Sequence, residues 1–408
     1  MSVQLTIDRL GAQGDGVADM PSGPAFVPFT LPGETVEAAE DGRRFRLATI
    51  LTPSPQRQAP PCPHFGTCGG CDLQHADDAL YTAFKRDVVV EALARAGLET
   101  EIAPLVTCPP ASRRRVALTA VRAGNRVLLG YNAAHSNSIV PIEVCPIALP
   151  AIQRALAPLQ RLATLLVDRK QPLKLAVTMT DTGLDIAVTG AAKLAEGKRQ
   201  DAIALALGEG FARLTVGEEI LVMTRPPSVG FDGITVELPP GAFIQAVAEA
   251  EAAMAALVTR HLAGARHVAD LFAGCGTFAL RLAAEARVHA VETEAGPLAA
   301  LTAAWRTRPG LKPLTTERRD LYRRPIPAKE LKSYDGLVFD PPRAGAETVS
   351  QEIAASKISR VAAVSCNPVT LARDLRILVD GGFRLVQVAP IDQFLWSRHV
   401  EAVALLER

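Results

Sequence analysis

Three short stretches of this chain place reactive side chains where they could do chemistry. The first is Ser365-Cys366-Asn367-Pro368, which sets a thiol at the end of an apolar run. Most single cysteines are buried and inert, so the address of Cys366 in the fold decides whether it can act as a nucleophile. The second is Asp340-Pro341-Pro342-Arg343, again at the end of an apolar run. Two prolines hold that chain rigid and leave its carbonyls facing outward, a frame for a planar ligand as well as for an ordinary turn. The third is His399-Val400-Glu401, where an acid enters the last apolar run. Glu401 is thus a candidate general base, with His399 as its rival.

A fourth stretch fits a bound nucleoside. In Asp270-Leu271-Phe272-Ala273-Gly274-Cys275-Gly276-Thr277 a Gly-x-Gly turn follows one apolar run and precedes another. Glycines let the backbone pass close to a ligand, and a helix start offers free N–H groups. The third glycine of the dinucleotide fingerprint is missing, since Leu280 stands near its place. That argues against NAD and for a nucleoside cofactor without a pyrophosphate. Glu292 ends the next run, where an acid can take both ribose hydroxyls. Phe272 also reads as core packing, and Cys275 as a small buried hydrophobe.

Four cysteines make a separate group. Cys62, Cys68 and Cys71 stand in a Cys-x5-Cys-x2-Cys run, and Cys145 is the natural fourth ligand. Three close thiols on a glycine-rich turn can wrap a metal or cluster, and a distant fourth would lock that knot to the chain further on. By ligand type alone, zinc fits as well as iron–sulfur. His64 reads as a neighbour of this group, not a ligand, and Cys108 as structural.

These side chains need elements to position them. Residues 4–7, 25–29, 35–38 and 45–51 alternate in polarity between glycines and read as short strands of a small barrel. Residues 53–61 form a stiff, proline-rich linker. A helix is predicted over 77–96, closed by Gly97. The stretch 115–236 mixes strands (115–121, 127–131, 173–179, 184–188) with a helix over 149–167, an α+β pattern. Beyond residue 241, helices alternate with buried strands at 267–272, 288–292, 336–340 and 361–365, which predicts a parallel, doubly wound sheet. Ligands of such sheets bind at the carboxyl ends of the strands, where Phe272, Glu292, Asp340 and Cys366 all fall.

With 408 residues, two or three domains are expected. The N-terminus lacks a signal-like pattern and no apolar run could span a bilayer, so a cytoplasmic protein with no membrane association is expected, its seven cysteines reduced. Charge is balanced, 44 basic against 43 acidic residues, and this does not by itself favour RNA. Local clusters, Arg113-Arg114-Arg115 and Arg318-Arg319 with Arg323-Arg324, read equally as solvated faces or as phosphate contacts.

Taken in order, these motifs resemble the RNA uracil-C5 methyltransferases, in particular the cluster-bearing enzymes that modify large-subunit ribosomal RNA. The likeness spans nearly the whole chain. Val27-Pro28-Phe29-Thr30-Leu31-Pro32-Gly33-Glu34 looks like that family's TRAM barrel, and Phe243-Ile244-Gln245 joins the motifs above. The resemblance implies a TRAM/OB-like RNA-binding barrel over 1–53, and an α+β central domain with an iron–sulfur knot over 54–240. It further implies a class I S-adenosylmethionine-dependent methyltransferase domain (Rossmann-like, α/β) over 241–408. By the same match Cys366 is the nucleophile, and Glu401 the base that takes the carbon 5 proton. Gln245, Phe272, Gly274, Glu292 and Asp340 would bind S-adenosylmethionine, while Cys62, Cys68, Cys71 and Cys145 would hold a [4Fe-4S] cluster, with zinc as the alternative. The partner is RNA, ribosomal first, acted on by a monomer. Two positions depart from the pattern: Ala246-Val247 stands where the family has Val-Asn, and Thr277 where it often has asparagine. Rival readings are cytosine-C5 methylation of RNA, uracil-C5 methylation of transfer RNA, and an RNA-binding module with an inactive methyltransferase domain.

Overall fold

A computed structural model describes residues 2–41, 44–134, 136–168 and 171–408. Met1 and residues 42–43 of the expected barrel lie outside the described residues, as do His135, Arg169 and Lys170. Among the described residues the strands form five sheets. Two three-stranded sheets lie at the N-terminus, one from Ser2–Thr6, Thr35–Asp41 and Arg44–Thr52, the other from Arg9–Leu10, Gly16–Met20 and Gly23–Val27. They share one small core of Leu5, Ile7, Val27 and Val36 with three alanines. Buried Glu34 ties this unit to the proline-rich linker through Arg57, whose Nε lies 2.5 Å from its carboxylate.

The middle of the chain builds a seven-stranded sheet. In Arg115–Ala123, buried positions alternate with more exposed ones, as in a sheet covered on one face only. Helices Leu156–Leu166 and Glu196–Gly208 supply that cover. The helix predicted over 149–167 is two helices, Pro150–Arg154 and Leu156–Leu166, broken at Ala155. Pro158 explains the break, because it has no N–H to offer the carbonyl four residues back.

The last sheet has eight strands. Gly336–Phe339 is buried at every position and Arg360–Ser365 at all but the first, which requires cover on both faces. Alternate residues of one strand serve opposite cores: Val268 packs toward helix Ala248–His261, and Ala269 toward helix Pro368–Asp380.

This sheet corrects the expectation of a purely parallel one. Glu401–Glu407 inserts antiparallel between Arg360–Ser365 and Arg384–Ile391. The link from Ile391 to Glu401 contains no helix, and a connection that short cannot carry the chain back to the start of a parallel strand. The eighth strand, Glu101–Ile102, comes from before residue 241 and pairs with Gln387 and Val388. Helix Asp78–Arg95, which precedes it in the chain, buries Val89, Ala92 and Leu93 in the same core as Leu375 and Leu378 of helix Pro368–Asp380. No helix among the described residues is long and apolar enough to cross a membrane.

Candidate active site

The site forms where the central strands end. After His267–Leu271 the chain turns through Phe272, Gly274 and Gly276, all at positive φ (63°, 52° and 97°). Gly276 is obligatory there, since a Cβ would sit 2.4 Å from the Leu301 side chain. Phe272 pays for its left-handed backbone with packing, its ring 5.6 Å from that of Tyr322. Glu292 closes the turn from the neighbouring strand. Its Oε2 accepts from the Gly274 N–H at 3.1 Å and its Oε1 from the Thr293 N–H at 2.6 Å. Phe272, Gly274 and Glu292 therefore lie together at this turn.

Asp340 ends the next strand, and its Oδ2 accepts from Gln245 Nε2 at 2.9 Å. Burial pushes the Asp340 carboxyl up to about 7, against the pull of that hydrogen bond. Gln245 passes the contact on. Its Oε1 accepts from Gln393 Nε2 at 2.8 Å, and the same nitrogen donates to Glu401 Oε2 at 2.9 Å. Burial, reinforced by Asp340, raises Glu401 well above the usual carboxyl range, with Gln393 and Arg343 opposing. Asp270 is fully buried close by, and its carboxyl is raised in the same way.

Cys366 follows the strand Arg360–Ser365, and Ser365 is paired directly with Ala402. The thiol and the Glu401 carboxyl are thus brought to one edge by sheet register. Ser365 Oγ accepts from the Asn367 N–H at 3.2 Å, and Asn367 caps helix Pro368–Asp380 by accepting from the Val369 N–H. That turn leaves Cys366 half-buried. Its thiol is pushed up to about 11 by burial, then by Glu401 and Asp340, while Arg343 works the other way.

His399 is placed differently. Its ring packs edge-on against Phe394 with centroids 6.1 Å apart, and burial and Arg343 lower it to about 4. It is neutral at ordinary pH and lines the cavity of the four cysteines. In that cavity, of about 310 Å³, Cys62, Cys68, Cys71 and Cys145 share the wall with Arg113, Arg343 and Phe394. Gly69 lets the knot dock: its N–H donates to Asn132 O at 2.9 Å, and a Cβ would clash with that backbone. Burial raises three of these thiols, Cys71 to about 12, and the neighbouring thiols push in the same direction. Among the described residues no group of three or more His, Cys, Asp or Glu side chains is placed to hold a metal ion, although the four thiols share this one cavity wall. His64 Nε2 accepts from the Glu143 N–H at 3.3 Å, which occupies it as an acceptor. Cys108 and Cys275 are buried in the core, as expected.

The arginine stretch is not a uniform face, since Arg114 is buried while Arg113 and Arg115 are half-buried. Arg114 is buried, paired with Glu251 at 2.5 Å and donating to the Gln245 carbonyl at 2.9 Å, so it braces the cofactor side of the site. Arg115 lies over the exposed ring of Phe243, 5.1 Å from its centroid. In the second cluster Arg319 is paired with Glu317, and Arg323 with Asp320.

Sequence reading missed the residues that hold the loop before Glu401. Lys85 is fully buried, 2.8 Å from Asp392 Oδ1, and donates to the carbonyls of Phe394 and His399. Tyr81 donates to Asp392 Oδ2 at 2.6 Å. Gln393 was missed too, because nothing in the sequence beside it tells what it will meet: two of its partners lie 147 and 148 positions away in the chain.

Comparison with known proteins is consistent with this geometry. Residues 314–408 match the family model described as tRNA (Uracil-5-)-methyltransferase. An RNA methyltransferase of Rhizobium meliloti (strain 1021) is 54% identical over 411 residues, 99% of each chain. The 23S rRNA (uracil(1939)-C(5))-methyltransferase RlmD of Edwardsiella ictaluri is 34% identical, over 99% of this chain and 95% of its own. The fold is also that of Pyrococcus abyssi tRNA (uracil-54, C5)-methyltransferase, solved with S-adenosyl-L-homocysteine. The TM-score is 0.76 over 99% of this chain and 100% of that one, at 20% identity.

Proposed function

The chain belongs to the RNA uracil-C5 methyltransferases and is an S-adenosylmethionine-dependent enzyme; from that premise we propose that it methylates carbon 5 of a uracil in large-subunit ribosomal RNA. The ribosomal assignment rests on the full-length likeness to the RlmD of Edwardsiella ictaluri, and a ribosomal substrate would be met in the cytoplasm. Transfer RNA is the alternative, from the likeness to the Pyrococcus abyssi enzyme. The observation that carries the chemistry is the register pairing Ser365 with Ala402, which sets a thiol and a buried carboxyl side by side.

Carbon 5 of uracil is too weak a nucleophile to attack a methyl group unaided. S-adenosylmethionine supplies an electrophilic methyl, and Gln245, Phe272, Gly274, Glu292 and Asp340 would hold it. The Cys366 sulfur adds to carbon 6, and the displaced π electrons form an enolate. Carbon 5 would then take the methyl, the sulfonium leaving as the neutral thioether S-adenosylhomocysteine. Glu401 accepts the carbon 5 proton, the C5–H electrons restore the C5=C6 bond, and the C6–S bond breaks to return the thiolate. Nucleoside mass spectrometry of ribosomal and transfer RNA from cells lacking the gene is expected to show one 5-methyluridine missing from large-subunit RNA. Loss from transfer RNA alone would move the substrate, and intact 5-methyluridine throughout would refute the reading.

The N-terminal pair of sheets, over 1–53, serves in this reading as a TRAM-like RNA-binding barrel, ahead of a central domain over 54–240 and the catalytic domain over 241–408. Cys62, Cys68, Cys71 and Cys145 are proposed to hold a [4Fe-4S] cluster with a structural or RNA-positioning role. Anaerobically purified protein is expected to be brown, with about four iron and four sulfide per chain. Cys145→Ser should lose the broad visible absorption. A colourless protein carrying one zinc would decide for the alternative.

A further inference from the structure

Gln393 occupies a position that no motif announces and the mechanism above does not use. Its side-chain Oε1 faces the N–H of Ala246 at 2.7 Å. A backbone N–H can only donate, so this contact fixes which end of the amide is oxygen. Nε2 must then face the other way, and both of its hydrogens are used, one toward Gln245 Oε1 and one toward Glu401 Oε2. Gln245 is orientated in turn: with its oxygen occupied, its own Nε2 points to Asp340. One backbone N–H thus sets the direction of four successive contacts, ending on two buried carboxyls. The segment carrying Gln393 is itself clamped, since adjacent Asp392 is paired with buried Lys85 and held by Tyr81.

We propose that Gln393 is the positioning residue of the base: it presents a donor to Glu401 Oε2, fixes the direction of that carboxyl, and leaves Oε1 to meet the carbon 5 proton. Among the described residues, the groups acting on Glu401 are Asp340 from the strand end two places away, Arg343 beyond it, and Gln393. Cys366 faces it from the end of the adjacent strand. Burial and Asp340 favour the protonated acid, which cannot accept a proton; Gln393 and Arg343 favour the carboxylate. Without the Gln393 donor the balance moves toward the acid. The acid limb of the proton-removal step must then shift to higher pH, because ionisation of Glu401 is reached later as pH rises.

This inference rests on the function proposed above, and two substrates separate them. Large-subunit ribosomal RNA transcribed with 5-fluorouridine triphosphate has no proton to lose at carbon 5, so it reports only addition and methyl transfer, as a stable protein–RNA adduct. The same transcript carrying tritium at carbon 5 of its uracils reports proton removal, as tritium released to water. For Gln393→Met we expect adduct formation on fluorinated RNA within about threefold of the parent. Tritium release should fall by about 10- to 100-fold, part of what a general base contributes. Its acid limb should move up, and covalent methylated adduct should accumulate on ordinary RNA. Gln393→Glu, which adds a second carboxyl beside Glu401, should move the limb further in the same direction. The inference is overturned if Gln393→Met loses adduct formation as severely as tritium release, or if it keeps the parental limb and rate. If the parent enzyme forms no adduct on fluorinated RNA, the functional reading itself falls, and the inference with it.

Discussion

Cys366→Ala is expected to reduce methyl transfer by at least about 10⁴-fold, the scale seen when a covalent nucleophile is removed, while RNA still binds within a fewfold of the parent affinity. The loss should be complete because nothing else at the strand ends can activate carbon 5. Arg343 is a cation, Gln393 and Gln245 are neutral amides without a nucleophilic atom, and the carboxyls of Glu401 and Asp340 are buried and raised toward neutrality. RNA binding should survive because Cys366 is one half-buried side chain in a turn held by Ser365 and Asn367, whose contacts the alanine keeps. The measurement is methyl incorporation under single turnover together with a filter-binding or shift assay on the same RNA. Full activity in the variant would end the covalent mechanism. The thiol's raised value, about 11, adds a pH signature. The thiolate is the attacking form, so adduct formation on fluorinated RNA should speed up as pH rises through neutral into the alkaline range.

Glu401→Gln should give the second large effect, and of a different kind. The amide keeps the shape of the side chain but cannot take a proton. Addition and methyl transfer precede proton removal, so the reaction should run forward and stop. A methylated RNA–protein adduct stable to denaturation is expected to accumulate, while multiple turnover falls by about 10²- to 10⁴-fold, the usual contribution of a general base. Denaturing gel electrophoresis with labelled methyl donor reads both quantities. If Glu401→Gln turns over like the parent, another group removes the proton. His399 is then the first to test, although its neutral ring faces the cavity of the four cysteines.

Much of the site was legible along the chain because its pieces are local. A buried apolar run followed by Asp270 to Thr277 is a strand, a turn and a helix start whatever surrounds it, and Gly276 stands where only glycine fits. The same logic found Glu292, Asp340 and Cys366 as the last residues of buried strands. The four cysteines were grouped by spacing, and they do line one cavity. The arginines resisted this kind of reading, because charge says nothing about pairing. Arg114 looks like its neighbours in sequence, yet it is buried against Glu251 under Gln245.

Strand direction and amide direction were settled at longer range. The sequence alone determined that thiol, acid and cofactor turn each end or begin an element, since burial patterns and glycine geometry are properties of a few adjacent residues. It could not determine that the last strand runs antiparallel between two others, and only that placement brings Glu401 beside Cys366. Nor could it determine that Ala246 turns the Gln393 amide so that its nitrogen meets both Gln245 and Glu401. Burial and hydrogen bonds between residues far apart in the chain exist only after the cores have packed, and here burial raises both carboxyls while the amides oppose it. Tertiary structure therefore set the electrostatic balance of this site, while the sequence had already set its parts.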